Sequence, residues 1–343
     1  MFKTNSLPST KQPVLIDKYG RKINYLRLSI TDRCNLRCFY CNTCNDYKFI
    51  PHKEILTYEE CLSLIRLSDS LGVSKVRLTG GEPFVRKDCV RFIAKALELF
   101  PDLDLRVTTN GTLLKDKISF LKKVGLNYLN ISLDTLNRQK FRWITGRDYF
   151  SEVRQSIDDC LHHGIRVKIN VVAMKGINDN ELLDFVRFAS DNPVDVRFIE
   201  FMPIGCDSHW ESSYYWSAEE MLNIIEAEWE IVPLSVKEDT SGPARMYSIH
   251  NGQGKIGLIS PLSNHFCAQC NRFRITPDGR LRTCLFSDRE YRLRPILRSS
   301  KLGIENVLKI MKLANDRKPM GYEILKNTKD SSVCHRSMSA IGG

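Results

Sequence analysis

The chain has 343 residues, 42% of them hydrophobic, and a formal net charge of +11. That length allows one large α/β domain with an appended subdomain, or two ordinary domains. No apolar run approaches the roughly 20 residues that cross a bilayer, and the N-terminus lacks the apolar core of a secretory signal, so the expectation is a soluble cytoplasmic protein. Residues 1–16 hold Lys, Ser and Thr without Arg or acid, which leaves an organellar targeting segment open for that stretch. The basic surplus suits a polyanion. With no Lys/Arg block interleaved with aromatics, a small polyanion fits better than nucleic acid.

Of the twelve cysteines, Cys34, Cys38, Cys41, Cys267, Cys270 and Cys284 form two tight groups, which in a reducing compartment points to metal rather than disulfides. Cys61, Cys89, Cys160, Cys206 and Cys334 are isolated and read as small buried hydrophobes. Cys44 fits either description.

After an N-terminal extension, residues 1–24, the first strand-like run is "YLRLSIT" (25–31), and the first cysteine group follows it as C-x3-C-x2-C. Three such thiolates can bind three irons of a cubane and leave the fourth without a protein ligand, open to the amino and carboxylate groups of S-adenosylmethionine. Zinc is the rival, with Cys44 as a fourth thiolate, but closed zinc sites usually join two C-x2-C pairs. The spacing favours iron and sulfide. "KVRLTGG" (75–81) is the next strand, and the adjacent glycines of "TGGEP" (79–83) leave the main chain open to a ligand's amino group.

"LDLRVTTNG" (103–111), "YLNISLD" (128–134), "RVKINVVAM" (166–174) and "DVRFIEFM" (195–202) continue the series. Between the strands, segments near 57–71, 88–99, 115–124, 151–163 and 180–190 carry apolar residues at helical spacing. Six βα units predict an incomplete (β/α)6 TIM-type barrel over residues 25–235, open inside, with a C-terminal region of 236–343. In "RVKINVV", Arg166, Lys168 and Asn170 share one strand face, which is expected to look into the barrel or, alternatively, onto solvent.

Residues 217–229 read as a helix and 237–254 as a turn-rich connector. Within the connector, Gly252-x-Gly254-x-x-Gly257 mimics a dinucleotide fingerprint, but it precedes the strand-like "IGLIS" and reads as a hairpin turn. The second cysteine group, C-x2-C-x13-C, again offers three thiols, with His265 nearby as a candidate fourth ligand for zinc; a second cubane with an open iron is favoured. Arg272 and Arg274 fall on one side of a strand beside it and Phe273 on the other, a pair of guanidinium forks for phosphate or carboxylate. A basic helical tail spans about 303–327, and the terminal "SMSAIGG" is expected to fray.

Taken together, "RLSITDRCNLRCFYC", "RLTGGEP", "TTNGTLL", "NISLDTLN", "FRWITGRD", "KINVV", "RFIEFMPIG", "FCAQCNRFRITPDGRLRTCLF" and the final Gly-Gly resemble the GTP 3′,8-cyclase family, radical S-adenosylmethionine lyases of molybdenum-cofactor biosynthesis, from about residue 14 onward. The resemblance implies [4Fe–4S] clusters on Cys34, Cys38 and Cys41 and on Cys267, Cys270 and Cys284, the second taking the guanine of GTP. It places Tyr40, Gly81, Ser132 and Met202 at S-adenosylmethionine, and Arg27, Arg77, Thr108, Lys168, Arg272, Phe273 and Arg274 at GTP. It gives Arg27 and a Gly342-Gly343 tail that enters the site catalytic parts, against the fraying expectation.

The implied reaction removes the ribose 3′ hydrogen with a 5′-deoxyadenosyl radical and closes carbon 3′ onto carbon 8, and reduction of the resulting aminyl radical gives 3′,8-cyclo-7,8-dihydro-GTP. Implied partners are a flavodoxin- or ferredoxin-type electron donor and a downstream cyclic pyranopterin monophosphate synthase, for a monomer or homodimer without nucleic acid or membrane. The loop after Cys41 departs from the family's usual "MP-x-x-G", and 291–335 matches loosely. A radical peptide-modifying enzyme and a zinc-stabilised nucleic-acid-binding protein are the alternatives.

Overall fold

A computed structural model describes residues 14–41, 48–205, 210–235, 242–327, 333–334 and 336–342. Cys44, Cys206 and Gly343 lie outside the described residues. The six expected strands form as β1 (Tyr25–Ser29), β2 (Lys75–Thr79), β3 (Asp104–Thr109), β4 (Tyr128–Ser132), β5 (Arg166–Ala173) and β6 (Val194–Glu200). They pair in parallel and in chain order. Their outward faces carry Leu26, Leu28, Val76, Leu78, Val107, Ile131 and Ile169, all fully buried in the main core.

The connecting helices Tyr58–Ser70, Cys89–Leu99, Ile118–Lys123, Phe150–His162 and Leu182–Asp191 lie where the apolar spacing puts them. Thr57 and Glu60 form a reciprocal capping box at the first, and Ser217 and Glu220 do so at Ala218–Glu228; each such cap is worth about 1 kcal/mol. Helix Arg138–Thr145 has no counterpart in the periodicity reading, because eight residues are too few to display it. Asn137 caps its start by accepting from the Lys140 amide, and Gly146, at φ +68°, ends it.

The C-terminal half does not stand apart from this sheet. Strands β7 (Ile231–Pro233), β8 (Arg245–Ile249) and β9 (Lys255–Ile259) add to one edge, with β9 parallel to β6. Strands β10 (Arg272–Ile275), β11 (Arg280–Arg282) and β12 (Tyr291–Arg292) add to the other, with β10 parallel to β1. The order is β12-β11-β10-β1-β2-β3-β4-β5-β6-β9-β8-β7, so the segment from Ser260 to Asn271 carries the chain from one edge of the six-strand core to the other.

Residues 245–249, read from sequence as part of a connector, are a strand instead: Tyr247 and Ile249 are buried, and the surrounding turn residues hide so short a run. The Gly252–Gly257 motif does form the β8–β9 hairpin turn. A Cβ on Gly254 would stand 2.1 Å from the Val194 carbonyl oxygen, so this glycine serves close packing of the turn on β6. Cys61, Cys89, Cys160 and Cys334 are buried thiols. No helix among the described residues is long and apolar enough to cross a membrane.

Candidate active site: two thiol trios around a row of guanidiniums

Strand register decides which side chains meet. Arg27 pairs across β1 with Arg77 on β2 and Arg274 on β10, and Arg77 pairs with Arg106 on β3. Two residues earlier on β1, Tyr25 sits between Lys75 and Arg272. Paired residues share a sheet face. All seven therefore line one cavity of about 740 Å³, whose wall carries nine basic and three acidic side chains. Asp104 pairs with Arg106 at 2.8 Å and with Lys75 at 3.4 Å; like charges set directly across strands otherwise oppose each other, which favours an anion here.

The local chemistry shows the same imbalance. Burial and the Arg274 guanidinium push the Arg27 guanidinium down, and burial with Arg272 pushes Arg274 to about 10. Burial raises the Tyr25 phenol, but Arg77, Arg27 and Arg272 more than offset it and bring it to about 7. Arg77 Nε donates to the Tyr25 hydroxyl at 2.5 Å, and its Nη1 donates to Thr108 Oγ1 at 3.2 Å. Burial and Arg197 lower Lys168 to about 8 despite Asp195 at 3.2 Å. Asn130 Oδ1, Arg197 Nε and Arg272 Nε are buried on this wall with no hydrogen-bond partner, as polar groups kept for a ligand would be.

Cys34, Cys38 and Cys41 open onto the cavity from the loop after β1. That loop is fastened from two sides. Arg37 and Phe39 amides donate to the Thr145 and Ile144 carbonyls at 2.8 and 3.1 Å, while the Gly81 and Glu82 amides donate to the Thr31 and Arg33 carbonyls at 2.8 Å each. A Cβ on Gly80 or Gly81 would lie 2.6 or 2.3 Å from those same two carbonyl oxygens. The paired glycines thus make room for the cysteine loop as well as facing the cavity.

Glu82 is fully buried and receives the Phe84 and Asn110 amides and the Thr109 hydroxyl at 3.0, 2.6 and 2.8 Å. Burial holds its carboxyl at about 7. Tyr40 donates to Asp134 Oδ2 at 2.6 Å, and burial raises Asp134 to about 6. Gly81, Ser132 and Met202 line the same cavity.

Cys267, Cys270 and Cys284 open onto the same cavity, the first two from the β9–β10 crossover and the third from the end of β11. Gly321 backs them: a Cβ there would stand 2.9 Å from Cys284 Sγ and 3.4 Å from Cys267 Sγ. Burial raises the Cys270 thiol, yet Lys318 and Arg272 bring it down to about 6. His265 contacts the Pro261 carbonyl through Nδ1 at 2.8 Å and stacks on Tyr322. Among the described residues no three His, Cys, Asp or Glu side chains gather closely enough to hold a single metal ion. The donor chemistry of each trio fits a cubane, whose ligands stand at separate corners, better than one zinc ion.

Arg27, Arg77, Thr108, Lys168, Arg272 and Arg274 are brought together on the cavity wall. The Phe273 side chain is not; it is fully buried in the core on the opposite face of β10. On β5, Lys168 and Asn170 face the cavity while Arg166 is exposed and donates to the Tyr128 hydroxyl. The tail does not fray over residues 337–342: Met338–Ile341 is a buried helical turn, and the Gly342 carbonyl accepts from Arg274 and Arg27. Sequence reasoning missed Tyr25, Lys75, Arg106, Arg197 and Asp134. The first three stand two residues from Arg27, Arg77 and Thr108, so strand alternation already pointed to them.

Residues 28–189 match the Radical SAM superfamily, and residues 194–324 match Molybdenum Cofactor Synthesis C. The GTP 3′,8-cyclase of Desulforamulus reducens is 43% identical over 330 residues, 96% of this chain and 100% of that protein. That of Petrotoga mobilis is 43% identical over 331 residues, 96% and 100% of the two chains. The crystal structure of Streptococcus suis SuiB bound to S-adenosylmethionine is similar in fold, with a TM-score of 0.60 at 14% identity, covering 94% of this chain and 79% of that one. This chain belongs to the GTP 3′,8-cyclase family of the radical S-adenosylmethionine superfamily.

Proposed function

We propose that the chain converts GTP to 3′,8-cyclo-7,8-dihydro-GTP, the opening step of molybdenum-cofactor biosynthesis. The observation that carries this reading is that two separate thiol trios face one cavity across a row of guanidiniums. Cys34, Cys38 and Cys41 would hold one [4Fe–4S] cluster, with S-adenosylmethionine against Tyr40, Gly81, Ser132 and Met202. Cys267, Cys270 and Cys284 would hold a second, facing the guanine. When bound, the first cluster and the sulfonium supply a radical able to take hydrogen from an unactivated carbon.

The chain's own part is placement. Arg27, Arg77, Thr108 and Lys168, with Arg272 and Arg274, offer charge-assisted donors at successive strand positions, which suits a triphosphate. Fixing both ends of the nucleotide holds ribose carbon 3′ near guanine carbon 8, and such positioning replaces most of the entropy a free encounter would cost. Gly342 would bring the tail's main chain beside Arg274 and Arg27, next to the substrate. The partners that suit this reading are a flavodoxin- or ferredoxin-type donor and a synthase that consumes the cyclic nucleotide, in the cytoplasm.

The test is anaerobic reconstitution of the full chain followed by GTP, S-adenosylmethionine and dithionite. Formation of 5′-deoxyadenosine that requires GTP is expected; a level no higher with GTP than without it overturns the reading. Stoichiometric zinc without acid-labile sulfide would favour the zinc-stabilised nucleic-acid binder instead.

A further inference from the structure

Lys318 follows the helix Ile304–Asp316 and is only 1% exposed. Its ammonium has three N–H donors, and each has an acceptor: the Thr283 carbonyl at 2.5 Å, the Arg272 carbonyl at 2.9 Å and Cys270 Sγ at 3.5 Å. These acceptors lie beside two of the three cysteines of the second trio. Arg21 steadies the arrangement from behind, its Nη1 donating to the Cys267 carbonyl at 2.8 Å and its Nη2 to the Lys318 and Pro319 carbonyls at 3.4 and 3.2 Å.

A buried ammonium is costly unless its surroundings repay it, and two neutral carbonyls repay it only in part. An iron–sulfur cube held by three thiolates, monoanionic when oxidised and dianionic when reduced, would supply the missing counter-charge. The first trio is built otherwise. Among the described residues its sulfurs receive only neutral donors, such as the Leu36 amide and the Asn110 side chain at Cys34 Sγ, 3.4 and 3.7 Å away. The carboxyls of Glu82 and Asp134 act on its thiols, and Arg37 is a nearby cation at Cys34 that donates no hydrogen bond to the sulfur.

Resting on the reading of both trios as cluster ligands, we propose that Lys318 is a positioning residue of the second cluster: it donates an N–H···S hydrogen bond to the Cys270 sulfur and holds a fixed positive charge that raises that cluster's reduction potential above the first one's. Hydrogen bonds to cluster sulfurs and nearby charge are recognised levers on such potentials, because the reduced cube carries one more negative charge. The consequence is a division of labour. The first cluster is left a strong donor, and the second is the easier of the two to reduce.

The test is an EPR-monitored redox titration of the full-length protein, reconstituted anaerobically, as wild type, Lys318→Met, Lys318→Gln and Lys318→Arg, with iron and sulfide counted for each. Wild type with half the expected iron would sink the two-cluster reading itself. With both clusters present, the Met and Gln variants are expected to move the second cluster's midpoint to lower potential, leave the first unchanged, and differ from Arg, which stays near wild type. Unchanged midpoints in the neutral variants overturn the proposal, as does an Arg variant shifted as far as Met. If neither neutral variant assembles the second cluster while Arg does so at the wild-type midpoint, that too overturns it, in favour of a purely structural tether.

Discussion

The main-chain carbonyl of Gly342 accepts a hydrogen bond from Arg274 Nη1 at 2.8 Å, deep in the barrel, with Arg27 Nε at 3.4 Å. Gly342 has φ +73°, and a Cβ there would meet Thr79 Oγ1 at 2.6 Å and Ser29 Cβ at 2.9 Å. Only glycine suits both demands. Gly342→Ala is therefore expected to lower turnover by at least about tenfold, since a left-handed backbone costs an L-residue about 1–2 kcal/mol before any clash is counted. Removing Gly342 and Gly343 should abolish GTP-dependent 5′-deoxyadenosine formation while the equilibrium Kd for GTP stays within a few-fold. Normal turnover in the truncated protein would contradict a catalytic tail.

Arg272→Ala and Arg274→Ala should each weaken GTP binding. A hydrogen bond to a charged group is worth about 1.5–3 kcal/mol, which corresponds to roughly a ten- to hundredfold rise in Kd. Calorimetry gives the affinity, and iron and sulfide counts should match wild type. Unchanged affinity in both variants would remove these residues from the substrate site.

Tyr25 supplies a pH dependence with a definite sign. Its phenol sits at about 7 because three arginines outweigh its burial. A triphosphate among the same arginines would disfavour the phenolate, so GTP binding should take up a proton near neutrality, and affinity should fall as pH rises through 7. The folded pKa lies below the usual tyrosine value of about 10, so without GTP this group's contribution to stability grows as pH rises from about 7 toward 10 and is lost as pH falls through 7. Tyrosinate absorbance should titrate near pH 7 in wild type and not in Tyr25→Phe. A GTP affinity with the same pH slope in both proteins would sink the assignment.

Gly321→Ala tests the second cage selectively. The added methyl would press on Cys284 Sγ and Cys267 Sγ, while the first trio shares no contact with that position. About half of the iron should be lost on reconstitution, and the remainder should still bind S-adenosylmethionine. Full iron content would mean that the trio yields easily.

Much of this was legible before any fold was known. The six strands and their helices follow from local periodicity, and both cysteine groups from spacing along the chain. Short elements escaped notice: Arg245–Ile249 is hidden by flanking turn residues, and helix Arg138–Thr145 is too brief to show a period. Phe273 shows the limit of carrying a residue over by position, since alternation turns its ring away from the side that Arg272 and Arg274 present.

The sequence by itself determined the chemistry at hand: three thiols twice over, a βα series, and basic residues at alternate strand positions, because spacing and periodicity are properties of the chain. Only the tertiary structure decided that Arg274, Arg27, Arg77 and Arg106 stand side by side on four strands, and that β9 and β10 occupy opposite edges so that the crossover brings the second trio to the cavity of the first. Register and edge pairing join residues hundreds of positions apart. No local pattern encodes them; they are fixed when the outward apolar faces of all these strands are buried together.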